Sequence, residues 1–175
     1  MRVFGKCLVI FILLTTFFTS GCVLRHLLTA QPDEDGLIKV FDENFEYFEI
    51  VADRLPDQGY DACFISIFLN KNVGQLFAGK DFKYHDITDQ KLKEAVEELF
   101  NAGCEIIDMG MESNCIEFEL WHNDQDVACG VLYNYNGVES PHVMYMTQIR
   151  SLDRDGWYFY TSDYNKWRSE HSNKN

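Results

Sequence analysis

A handful of side chains in this sequence could do chemistry, and their types limit what that chemistry is. The loop His122-Asn123-Asp124-Gln125-Asp126 has the oxygen-rich character of a calcium or transition-metal site. It lacks the glycine and terminal glutamate of an EF-hand loop, and polar residues between strands ordinarily form turns. His85-Asp86 and His142 add imidazoles, but a general base must sit beside a nucleophile, and no spacing shows that these residues converge. Cys104, Cys115 and Cys129 could supply a thiol nucleophile with His122 or His142 as its base. No glycine-rich phosphate loop, GxSxG elbow or HExxH helix accompanies them. No catalytic residue, metal or cofactor is therefore expected.

The aromatic C-terminal stretch is the other unusual feature. Trp157, Tyr158, Phe159, Tyr160, Tyr164 and Trp167 lie close together, with Asp163, Lys166 and Arg168 among them. On a strand, Trp157 and Phe159 face one side and Tyr158 and Tyr160 the other. One face enters the core and the other is a candidate recognition ridge, since Tyr and Trp give large contact area with a polar handle. Trp157, Tyr158, Tyr160, Tyr164 and Trp167 form the candidate binding surface; the competing reading buries both faces.

The N-terminus reads as an export signal. Arg2 and Lys6 precede the apolar run Cys7 to Phe18, which suits a signal-peptide core and is short of the roughly 20 residues of a spanning helix. Thr19-Ser20-Gly21-Cys22 follows and resembles the lipobox of bacterial lipoproteins, departing from it in Thr19 where leucine is usual. The resemblance covers residues 1–22. It implies diacylation of the Cys22 sulfur, cleavage before that residue, and a cell-membrane anchor with the domain on the extracytoplasmic side. An uncleaved anchor or free secretion are the alternatives, and both also place the domain outside the cytoplasm.

Removing residues 1–21 takes away Arg2 and Lys6 and no acid, which leaves the chain two units more negative than its full-length −13. Such acidity argues against nucleic acid, whose phosphates demand a basic patch. It favours solubility or a cationic protein partner. Cys63, Cys104, Cys115 and Cys129 form no CxxC pair, so a zinc knuckle is unsupported. An oxidising compartment would favour bridges among them, and burial as small hydrophobes is the alternative.

The elements that must position these residues follow from periodicity. Residues 22–36 read as a lipidated cysteine and an acidic tether ending in Asp33-Glu34-Asp35-Gly36, and residues 37–175 as one domain. Phe45, Phe48, Val51, Ala52 and Leu55 predict a first helix from Phe41, ended by Pro56 and Gly59. Leu92, Ala95, Val96, Leu99 and Phe100 predict a second, capped by Thr88 and closed at Gly103. Ala62 to Leu69 predicts a buried strand, and 73–86 a further strand and loop. After residue 104 the chain reads as an antiparallel meander, with Asn136-Gly137 a strong turn signal. The fold expected is α+β, with two helices on one face of a curved, mainly antiparallel sheet of about five or six strands.

A tethered binding module is the leading function, one that would neutralise a cationic toxin or enzyme. An envelope enzyme using a Cys/His site and a structural envelope-assembly lipoprotein are the alternatives.

Overall fold

The computed structural model describes residues 32–68, 74–79, 83–110, 115–123, 126–137 and 141–171. The expected signal peptide, Cys22 and most of the expected tether lie outside the described residues. So do Asp124 and Gln125 of the polar loop.

The acidic run expected to end a tether instead starts a helix. Asp33 is extended and its carboxylate accepts the Gly36 N–H at 2.7 Å. Glu34 and Asp35 fill the first turn of α1, Glu34–Glu43, where negative charge complements the helix dipole. Leu37 and Phe41, one turn apart, are buried. Asn44 interrupts the helix, its side-chain amide donating to the Val40 carbonyl at 2.9 Å. Helix α2, Phe45–Arg54, continues and buries Phe48, Val51 and Ala52.

A short 3-10 turn, Pro56–Gln58, closes the helical segment, with Gly59 left-handed at φ 79°. Helix α3, Gln90–Asn101, buries the apolar stripe expected of it, Leu92, Ala95, Val96 and Leu99. Its cap is Asp89 and not Thr88. The Asp89 carboxylate accepts the Lys91 and Leu92 N–H groups and takes a 2.7 Å ion pair from Arg54 at the end of α2. The Arg54 hydrogen bond, followed by the Leu92 N–H, holds that carboxyl below its ordinary range.

The strands are β1 Cys63–Ser66, β2 Gln75–Ala78, β3 Lys83–Asp86, β4 Ile106–Met109, β5 Ile116–His122, β6 Val127–Tyr133, β7 Met146–Ser151 and β8 Trp157–Asp163. They form one antiparallel sheet in the order β3-β2-β1-β4-β5-β6-β8-β7. The α+β class and antiparallel sheet are as expected, but among the described residues there are eight strands, because Gln75–Ala78 and Lys83–Asp86 form an antiparallel pair of their own. Helix α4, Tyr164–His171, was also not expected. Its first turn is capped by Asp163, which accepts the Lys166 N–H at 2.8 Å.

Register explains why the two sheet faces differ. Ile65, Ile107, Phe118, Val131 and Phe159 lie side by side across five strands, all buried. They share one core with the buried residues of α1, α2 and α3. Trp157 sits at its centre, with ring centroids 5.1 Å from Phe41, 5.7 Å from Phe118 and 4.9 Å from Tyr133. Arg150 of β7 ties α1 to the sheet edge through Glu34, with a 2.7 Å Nε contact. Among the described residues, no helix is long and apolar enough to cross a membrane.

Because side chains alternate across a strand, the next residues along point away from the helices. Phe77, Phe64, Asp108, Glu117, Leu132 and Tyr158 form one such row, and Ser66, Ile106, Glu119, Gly130 and Tyr160 a second. The segment before β7 covers part of this face, where Val143 packs with Leu132, Cys115 and Tyr160.

Candidate functional site: an acidic open sheet face

Three carboxylates project from the centre of the face opposite the helices. Asp108 on β4 and Glu117 on β5 are cross-strand partners, and Glu119 is two residues further along β5. Burial is the main reason these carboxyls hold their protons more tightly than usual, and for Glu117 and Glu119 the like charges placed nearby add to it. Burial raises the Asp108 carboxyl to about 6. Burial, then the neighbouring Asp108 and Glu119 charges, raises Glu117 to about 8. Glu119 is raised as well, chiefly by burial, with His122 pulling it back.

These shifts set the sign of a pH effect. A carboxyl whose pKa is raised on folding keeps its proton in the native state and loses it sooner in the unfolded chain. Stability is therefore lost as pH climbs from the ordinary 4.5 of Glu117 to about 8. Glu117→Gln is expected to melt like the parent at pH 4 and above it at pH 9. Melting curves at the two pH values check this, and equal melting temperatures at pH 9 would contradict it.

At one end of the acidic face is a tighter cluster. His122 Nδ1 lies 2.6 Å from Glu105 Oε2 and 3.0 Å from Glu119 Oε1. A β-bulge between Glu119 and Trp121 makes this possible. On a regular strand, residues 119 and 122 would point to opposite faces. The extra residue, Leu120, shifts the alternation by one, so Leu120 and Trp121 are both buried and His122 joins Glu119. Gly130 pairs with Glu119 at this place, and a Cβ there would sit 2.0 Å from the Phe118 carbonyl oxygen. Phe68, 60% exposed, sets its ring edge-on to the imidazole at 5.4 Å. A cavity of about 400 Å³ opens beside the cluster, lined in part by Ser66, Phe68, Asn123 and Asp126.

The other sequence candidates do not converge here. His85 is on β3 against Tyr60, and His142 precedes β7. Cys63, Cys104, Cys115 and Cys129 are buried thiols, none of them in a disulfide. Burial, with Asp108 nearby, pushes Cys63 up to about 12, and burial raises Cys115 to about 11 and also raises Cys104. A nucleophile needs the thiolate and access; all four thiols are enclosed, and burial also holds Cys63, Cys104 and Cys115 in the protonated form.

The expected aromatic ridge is divided. Trp157 (3% exposed) is in the helix-side core, and Tyr160 (1% exposed) is buried beneath the segment before β7. Neither offers a surface to a partner, because both faces of β8 are covered at those positions. Tyr158 is half-buried on the open face beside Glu117's partner Leu132. Tyr164 and Trp167 pack on Tyr145 with centroids 4.7 and 5.2 Å apart, forming a partly exposed aromatic group at the end of β8. Phe64, Phe77 and Tyr84 add aromatic area to the other side of the carboxylates. Asp108, Glu105 and the pairing of Glu117 were missed from sequence. The Glu117/Glu119 alternation was visible, but its partners needed the register.

A larger cleft of about 940 Å³ lies on the helix side between α2 and the end of β6. Glu49, Asp53, Arg54, Lys91 and Arg154 mix both signs of charge around it. No protein-family model matches the chain, and no curated protein or solved structure shows significant similarity to it.

Proposed function

We propose that this protein is a lipid-anchored extracytoplasmic binding module whose open sheet face takes up a cationic protein or peptide. The observation behind this reading is the carboxylate group Asp108, Glu117 and Glu119 on the face away from the helices, partly desolvated, with Phe64 beside Asp108 and Tyr158 beyond Leu132. A lysine or arginine brought against these groups favours their charged forms and relieves the repulsion among them. Aromatic neighbours supply apolar area and a surface for the cation to stack on. Neutralising a cationic toxin or enzyme at the cell surface fits this chemistry and the net charge of −13.

Affinity capture from the native envelope tests the reading. The captured partner is expected to be basic and to be released by salt, since complementary charges are screened over about 8 Å at physiological ionic strength. An acidic partner held unchanged in high salt would overturn it.

The anchor rests on the lipobox resemblance at Thr19-Ser20-Gly21-Cys22. Several acyl chains on one cysteine give firm membrane attachment where a single chain is marginal. Cys22→Ala is expected to abolish acyl modification and leave unprocessed precursor. Intact mass of the membrane fraction checks this, and a native N-terminus other than Cys22 would contradict it.

A further inference from the structure

We propose that Glu105, Glu119 and His122 bind one divalent transition-metal ion of the zinc class at the end of the acidic face. The three side chains offer two carboxylate oxygens and one imidazole nitrogen, all within 4.8 Å of one another. Mixed nitrogen and oxygen donors of this kind suit zinc and its neighbours. Tetrahedral ligand bonds of about 2.0–2.2 Å place donor atoms about 3.3–3.6 Å apart, so the 2.6 and 3.0 Å separations found here need to open by no more than about 1 Å to admit an ion.

The second observation is an oxygen with no partner. Glu105 Oε2 is closed off from solvent and receives no hydrogen bond, although Nδ1 is 2.6 Å away. One imidazole nitrogen carries at most one proton, and here that hydrogen bond goes to Glu119. A proton on Nδ1 therefore satisfies one carboxylate and leaves the other enclosed without a donor, which is costly. A metal ion in place of that proton is bonded by all three atoms at once.

The local backbone presents the cluster as a unit. The bulge at Leu120 turns His122 to the side of Glu119, and Glu105 is fixed beside them by its N–H to the Glu119 carbonyl at 2.8 Å. Phe68 packs against the ring from the solvent side. The adjoining cavity leaves room for a water or a ligand side chain to complete the coordination. The site shares Glu119 with the proposed recognition face but not Asp108 or Glu117, so the two readings can be tested apart.

Calorimetric titration of the full chain with zinc after chelation tests the proposal, with cobalt absorption as a second readout. One equivalent is expected to bind, and His122→Ala and Glu105→Gln are each expected to weaken binding by at least about tenfold. His85→Ala and His142→Ala should bind as the parent does. Circular dichroism separates loss of the site from loss of the fold, and Glu105→Gln preserves shape if the histidine variant is unstable. No binding by a folded parent, or equal binding by folded His122→Ala and Glu105→Gln, overturns the site. A folded parent that captures a basic partner but binds no zinc overturns the metal site alone, and one that binds zinc but captures no basic partner overturns the cationic-partner reading alone.

Discussion

Trp157→Ala is expected to destabilise the domain by about 3–5 kcal/mol, the range for truncating a large buried aromatic. Its ring contacts Phe41 and Phe45 of the helical layer and Phe118 and Tyr133 of the sheet, so its loss opens a cavity between layers. The surroundings are large aromatics held by both backbones, which leaves little room for collapse. A domain of this size has roughly 5–15 kcal/mol in total, so this one change removes a large share. Tyr158→Ala, one residue on but half-buried on the opposite face, should cost far less. Urea unfolding of the two variants checks the contrast. Equal, small losses would mean that Trp157 is not the joint between helices and sheet.

Gly130→Ala is expected to cost about 3 kcal/mol, at the upper end for overpacking. The added Cβ meets a backbone carbonyl oxygen at 2.0 Å and the Glu119 Cα at 3.1 Å. Neither can rotate away as a side chain could, so β5 and β6 must separate where the bulge sets the direction of Glu119 and His122. The variant should therefore lose stability and zinc affinity together. Denaturant midpoints at constant slope measure the first and calorimetry the second. A stability change below about 0.5 kcal/mol, the ordinary scatter of surface substitutions, would mean that the strands do not approach as closely as described.

Helices α2 and α3 were legible because Phe45 to Leu55 and Leu92 to Leu99 repeat at helical spacing and end in strong stop signals. Strands β4 to β8 were legible from alternation and turns. Helix α1 was hidden because Asp33-Glu34-Asp35 is equally a solvated tether and an N-cap with an acidic first turn. What decides is burial of Leu37 and Phe41 against a sheet that forms much later in the chain. Helix α4 has no sustained apolar stripe and rests instead on Tyr145 contacts. Thr88 and Asp89 were both able to cap, and Arg54 across the helix pair favours the aspartate.

The candidate site was less legible than the fold. Glu117 and Glu119 were visible as the polar half of an alternating strand, but Asp108 reaches them only through register. The adjacent apolar pair Leu120-Trp121, followed by His122, was the local signal of a bulge. It reads as a break in alternation once Trp121 is known to be buried. For the aromatic stretch, sequence could place Tyr158 and Tyr160 on one face. It could not show that Val143, arriving from another segment, would bury Tyr160.

We propose the carboxylate group Asp108, Glu117 and Glu119 as the recognition face for a cationic ligand. The most direct test is calorimetric titration of a lysine- and arginine-rich peptide into the parent and into Asp108→Asn/Glu117→Gln, in two buffers of different ionisation enthalpy near pH 7. The parent is expected to bind with affinity that falls with salt and to release protons. A cation draws off the proton that Glu117, raised to about 8, still holds. The double variant should remain folded, release fewer protons and bind at least about tenfold more weakly, the equivalent of about 1.4 kcal/mol. Unchanged affinity and proton release in a folded double variant would contradict the account.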